Sequence, residues 1–176
     1  VSEKADFGIA VDPDVDRLAL VSDDGTLFGE EYTLVAVADY LLSKKAGNTV
    51  SNLSSTRALS DITKKYGGDY FASAVGEVNV VEMMKAKNAV IGGEGNGGII
   101  YPGLQYGRDA LVGIAFILSL LAERSMSLSE LRASYPDYYI SKNKIDLDAS
   151  LDLESIFKAL REQYSNESLS EIDGLK

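Results

Sequence analysis

At 176 residues with 45% apolar side chains, the chain has material for one good-sized domain or one and a half, with a real hydrophobic core. It contains neither cysteine nor histidine, which excludes disulfides, thiolate nucleophiles, Ser-His-Asp triads and most zinc sites, and leaves hard, oxygen-bound cations as the metals it can hold. A formal charge of −10 without any basic run argues against nucleic acid as a partner, and the longest apolar stretch, residues 110–122, is shorter than the roughly 20 residues that cross a bilayer, so no membrane partner is expected. Nothing suggests secretion, so a cytoplasmic location is expected. The opening VSEKADFG and the closing IDGLK read as boundaries within a larger protein.

In chain order, residues 7–11 and 18–21 are short apolar runs suited to buried strands, and DDGT at 23–26 marks a reversal. Residues 32–45 have helical spacing, with Leu34, Val37, Ala38, Leu41 and Leu42 on one face and Gly47 placed to end the helix. The pattern then repeats. A β run at 49–53 leads through SSTR into a helix at 58–66, and another at 70–75 leads through GEVN into a helix reaching residue 87. A third, 89–91, leads through GGEGNGG toward a long helix at 109–124. This alternation predicts an α/β fold, a mostly parallel sheet flanked by helices. Beyond it, SLSELRASYPDYY predicts a short helix capped by Ser127 or Ser129. A strand at 142–147, a helix at 153–164 and the start of a strand at Ile172 predict a partial, smaller α+β unit at the C-terminus.

Two stretches carry chemistry. VDPDVDR places Asp12, Asp14 and Asp16 at every second position, and an extended loop would turn all three to one side. Pro13 disfavours helix at Asp12. Three carboxylates so close repel one another unless a cation sits among them, and magnesium suits carboxylates combined with phosphate oxygens and water, while Arg17 beside them can hold an anion. The bland alternative is a solvated acidic loop. A calcium loop of the EF-hand type would need Gly and Glu where Arg17 and Asp23 stand. SDDGTL likewise lacks the leading aspartate of a phosphatase nucleophile loop.

GGEGNGG, residues 92–98, sits at a predicted strand end, where parallel sheets bind ligands. Its Glu94 and Asn96 offer a carboxylate and an amide two residues apart, suited to neighbouring sugar hydroxyls. The alternative is a flexible polar turn. It is not a phosphate loop of the G-x-x-x-x-G-K-[ST] type. Arg57, Arg108 and the AVGE stretch at 74–77 are lesser candidates, the two arginines reading first as surface residues.

VDPDVDR resembles the D-x-D-x-D-R metal loop of the α-D-phosphohexomutases, the family of phosphoglucomutase, phosphomannomutase and phosphoglucosamine mutase. GGEGNGG resembles their G-E-x-S-G sugar loop about 80 residues further on. SSTRAL and AVGEVNV fall where the family's third domain has its strand-end loops. The resemblance covers nearly the whole chain and implies residues 1–27 as the tail of domain two, 28–140 as domain three and 141–176 as the start of domain four.

For the intact enzyme the resemblance implies a phosphoserine that exchanges phosphate with a sugar 1- or 6-phosphate through a hexose 1,6-bisphosphate. Asp12, Asp14 and Asp16 would hold Mg²⁺, Arg17 would serve catalysis by binding phosphate, and Glu94, Asn96 and Gly76 would contact the phosphosugar substrate. The remaining domains would be its partners, and this stretch alone is expected to be inactive. Asn96 stands where the family more often has Ser, and Ala74 where several members have Lys. The GEGNGG form leans toward glucosamine phosphate, with mannose and glucose phosphates as alternatives. A non-catalytic domain that binds sugar or metal is the competing reading.

Overall fold

The structure is a computed structural model that describes residues 3–141, 146–148 and 151–175. Its first strands, β1 (Gly8–Val11) and β2 (Leu18–Val21), pair antiparallel with Val11 opposite Leu18, so the acidic stretch 12–17 is the loop of a hairpin. Helix α1 (Glu30–Lys44) follows, entered through Gly29 at φ +90°.

The main sheet has the order β4-β3-β5-β6. β3 (Asn48–Asn52) is its interior parallel strand, flanked by β4 (Tyr70–Ser73) and β5 (Ala89–Gly93), and β6 (Ile99–Ile100) returns antiparallel to β5. β3 tolerates burial on both faces because its polar side chains find partners. Thr49 Oγ1 lies 2.6 Å from Thr63 Oγ1 and Ser51 Oγ lies 2.9 Å from the Tyr70 hydroxyl. Helices α2 (Ala58–Lys65) and α3 (Glu77–Lys87) make the crossovers that parallel strands require. The predicted α/β fold, a mostly parallel sheet flanked by helices, is therefore the one formed. The two-residue β6 is too short to leave a periodic trace in the sequence.

Adjacent residues of a strand face opposite sides, and here they enter different cores. Ile99 joins Leu34, Val35, Leu59 and Ile91 beneath α1, α2 and α4 (Ala110–Arg124), whereas Ile100 joins Val50, Val80 and Met84 beneath α3. Leu18 and Leu20 of the hairpin belong to the first core, so the hairpin and the α/β layer form one compact unit, Val1–Tyr139. α4 is capped by Asp109, whose Oδ1 accepts from the Val112 N–H at 3.0 Å. α5 (Leu128–Ala133) begins with a full capping box between Ser127 and Glu130.

The second unit, Ile140–Lys176, contains α6 (Leu153–Gln163), where a helix is expected at 153–164, and Asp152 caps it. Of the expected strand at 142–147, residues 142–145 lie outside the described residues and 146 and 147 have no regular structure. The strand start expected at Ile172 is instead a turn. Asp173 and Gly174, the latter at φ +77°, favour reversal over extension, and Arg161 holds Glu171 with two bonds at 2.7 and 3.1 Å. Among the described residues no helix is long and apolar enough to cross a membrane.

One buried charge fastens the helical layer. Asp39 of α1 is 1% exposed, and its Oδ1 accepts from the Tyr66 hydroxyl at 2.8 Å while Oδ2 accepts from Arg124 at 2.5 Å and the Tyr135 hydroxyl at 3.0 Å. Burial works against its charge, but Arg124, Tyr66 and Lys65 outweigh it and hold the carboxyl below the usual range. Asp39→Asn is expected to destabilise the unit by about 3 kcal/mol or more in urea denaturation, since it strands a partly buried guanidinium. Because the folded pKa is depressed, this contribution is complete above about pH 4 and is lost as pH falls through the folded value. The gap between wild type and variant should therefore narrow only below about pH 4; a constant gap down to pH 3 would contradict the assignment.

Candidate active site

The loops that follow β3, β4 and β5 lie at the carboxyl ends of these parallel strands, and the hairpin loop meets the glycine-rich loop that follows β5. The hairpin loop is not extended. The Val15 N–H donates to the Asp12 carbonyl at 3.0 Å, and Val15, a β-branched residue, sits at φ +58°. Its carbonyl in turn accepts from the Ala110 N–H at 3.1 Å, which fastens the turn to the start of α4. The three aspartates converge by this turn rather than by strand alternation: each offers a carboxylate oxygen within 4.8 Å of the others.

Their environments differ. Asp12 Oδ1 accepts from the N–H groups of Asp16 and Arg17 at 3.1 and 3.0 Å. Desolvation opposes its charge, yet those N–H groups win and keep its carboxyl below the usual range. Asp16 is pushed up, by burial first and then by Asp12, with Arg108 opposing. Its Oδ1 is buried without a hydrogen-bond partner. A buried carboxylate oxygen lacking a donor, beside two more carboxylates, is a donor set that a hard divalent cation satisfies. Arg17 lies over this cluster, its Nε 3.6 Å from Asp12 and 3.7 Å from Asp16, with its side chain half exposed.

The glycine-rich loop closes against the same place. The Leu18 N–H donates to the Gly97 carbonyl at 3.1 Å, and Arg17 bridges Gly98. Gly97 sits at φ +85°, and a Cβ there would lie 2.3 Å from the Leu18 carbonyl oxygen, so only glycine permits the approach. Glu94 is buried. Its Oε1 accepts from Asn52 Nδ2 at 2.8 Å and its Oε2 from Arg108 Nη1 at 2.7 Å, with Asn96 Nδ2 at 3.5 Å. Asn96 Oδ1 accepts from the Gly98 N–H at 3.1 Å.

Arg108 is the residue whose weight the sequence understated. Its guanidinium pairs with Asp16 Oδ2 and Glu94 Oε2, its Nε lies 3.4 Å from Glu77 Oε2, and its own N–H donates to Glu77 Oε1 at 3.0 Å. Asn52, which holds Glu94, is a second residue that motif reading misses, although a polar residue ending a buried strand is a usable signal. Gly76, at φ +113°, precedes Glu77 and opens α3, which leaves it one residue from the network. Arg57 stands exposed before α2 and makes none of these contacts.

The sequence profile of the phosphoglucomutase/phosphomannomutase alpha/beta/alpha domain III matches residues 29–139. The chain belongs to this family. A phosphoglucosamine/phosphogalactosamine mutase of Sulfurisphaera tokodaii is 35% identical over 98% of the chain, and a phosphoglucomutase/phosphomannomutase of Thermococcus kodakarensis is 35% identical over 80%. The chain spans 39% and 31% of these two relatives' lengths. The crystal structure of a phosphoglucomutase/phosphomannomutase family protein from Burkholderia thailandensis superposes on 97% of the chain and 37% of its own length, with a TM-score of 0.79 and 27% identity.

Gly97→Ala is expected to destabilise the unit by more than about 1 kcal/mol, through the left-handed backbone and the clash with the Leu18 carbonyl, in urea unfolding. An unchanged unfolding midpoint would mean that the two loops are not held together as described.

Proposed function

We propose that the chain is part of a Mg²⁺-dependent phosphosugar mutase that interconverts hexose 1- and 6-phosphates through a phosphoserine and a hexose 1,6-bisphosphate. The observation that carries this reading is the adjacency of the acidic turn and the glycine-rich loop, joined through Arg108 and the contact of Leu18 with Gly97. Family membership and the mutase names of the relatives support it. On this reading residues 1–27 end a second domain, 28–140 form a third and 141–176 begin a fourth; the matched range 29–139 and the separation of units at Ile140 agree with the later boundary.

Asp12, Asp14 and Asp16 would hold the cation. Bound there, Mg²⁺ supplies neutralising charge for phosphoryl transfer. Arg17, half exposed beside the cluster, binds the phosphate as a charge-assisted donor. Asn96 and Glu94 hold sugar hydroxyls, and Gly76 leaves backbone open to the substrate at the start of α3. Both ends of the sugar must react at one place, so the hydroxyl grip accepts the ring in two orientations while the phosphate site stays fixed. Glucosamine phosphate is the proposed substrate, on the GEGNGG form of the loop and on relatives named phosphoglucosamine mutases.

The test is conversion of glucosamine, mannose and glucose 1-phosphates by the full-length protein carrying this chain, with Mg²⁺ and a trace of bisphosphate. Preferential conversion of glucosamine phosphate is expected. Asp14→Asn, at an exposed position, should lower kcat at least roughly 100-fold, equivalent to a few kcal/mol of lost charge stabilisation. Normal turnover in that variant would remove the metal from this loop.

A further inference from the structure

We infer that Arg108 is a positioning residue that couples the cation site to the sugar site, an inference that rests on the proposed function and goes beyond it. Each of its three side-chain nitrogens faces a carboxylate from a different stretch of chain: Asp16 of the hairpin loop, Glu94 of the glycine-rich loop and Glu77 of α3. The side chain is 15% exposed, whereas that of Arg17 is 50% exposed, so Arg108 is placed to organise neighbours and Arg17 to meet an incoming phosphate.

Its own position is over-determined. Arg108 bridges Ile100 of β6, the Asp109 N–H donates to the Ile99 carbonyl at 2.8 Å, and the Ala110 N–H donates to the Val15 carbonyl at 3.1 Å. The side chain then runs across Gly98, where an added Cβ would lie 2.4 Å from Arg108 Cδ. Glycine at this position leaves the path open for the guanidinium. Glu94 cannot drift freely either, because Asn52 holds its other oxygen at 2.8 Å.

One cation divided among carboxylates makes their occupancies interdependent. A metal ion at Asp16 competes with Arg108 for that carboxylate and turns the guanidinium toward Glu94; removing the charge of Glu94 turns it toward Asp16, against the metal. Linkage makes the coupling reciprocal. Arg108 thereby keeps the phosphate-transfer centre and the sugar grip in a fixed relation, which a mutase needs in both orientations of its substrate.

A double-mutant cycle read by Mn²⁺ binding separates this from a general field effect. In the full-length protein carrying this chain, electron paramagnetic resonance titration gives the Mn²⁺ affinity without reference to turnover. Glu94→Gln, although Glu94 is not a proposed ligand of the ion, should weaken Mn²⁺ binding at least about fivefold. In an Arg108→Met background the same change should have less than about a twofold effect. Gly98→Ala, which displaces the guanidinium and alters no charge, should suppress the coupling in the same way and covers the case in which Arg108→Met does not fold. A Glu94 effect that is absent in the presence of Arg108, or equal with and without it, overturns the inference and leaves the proposed function standing. A wild-type protein that binds no Mn²⁺ overturns the metal assignment and the coupling with it.

Discussion

The guanidinium of Arg108 lies among carboxylates that three separate segments bring to the ends of the parallel strands. Without a positive group there, Asp16, Glu77 and Glu94 would repel one another, and the glycine-rich loop would have no charge holding it to the hairpin. The pairing is mostly sheltered from solvent, where attraction between charges is less screened and where an unpaired member is costly. The acidic turn, the loop after β5 and the start of α3 take their places around it.

The backbone supplies what the ion pairs cannot. Gly97 lets the loop carbonyl reach the Leu18 N–H, and Gly98 leaves a channel for the Arg108 side chain. Behind them, apolar residues of the hairpin share one core with α1, α2 and α4, and Asp39 of α1 holds Tyr66 and Arg124 at the C-terminal ends of α2 and α4. Rigid elements thus support a rim of loops that carry the polar groups, the usual division between scaffold and site in α/β proteins.

Much of this is legible in the sequence, because the informative features are local. Helical spacing marks α1, a long apolar stretch marks α4, the alternation of β runs with helices marks β3 and β5, and the acidic and glycine-rich stretches announce themselves by composition. What is not legible depends on distance along the chain. The aspartates converge through a turn with Val15 in the left-handed region, where alternation suggested an extended loop. Arg108 looked like a surface arginine because its partners, Asp16 and Glu77, are far from it in sequence. Asp39 fits the polar positions of α1 equally well whether solvated or buried, and only the packing of Tyr66, Arg124 and Tyr135 shows that it is buried. At the C-terminus the apolar Ile172 suggested a strand, but the neighbouring Asp173 and Gly174 dictate a turn.

The central claim is that the acidic turn and the glycine-rich loop form one site for a divalent cation and a phosphosugar. Its most direct test is a crystal structure of the full-length protein carrying this chain with Mn²⁺ and glucosamine 6-phosphate, with the metal located by anomalous scattering. The account predicts an anomalous peak among Asp12, Asp14 and Asp16, at roughly the 2.1 Å oxygen distances of a small hard cation, with sugar hydroxyls within hydrogen-bond reach of Glu94 and Asn96. A metal bound elsewhere, or a sugar phosphate seated away from both loops, would contradict it.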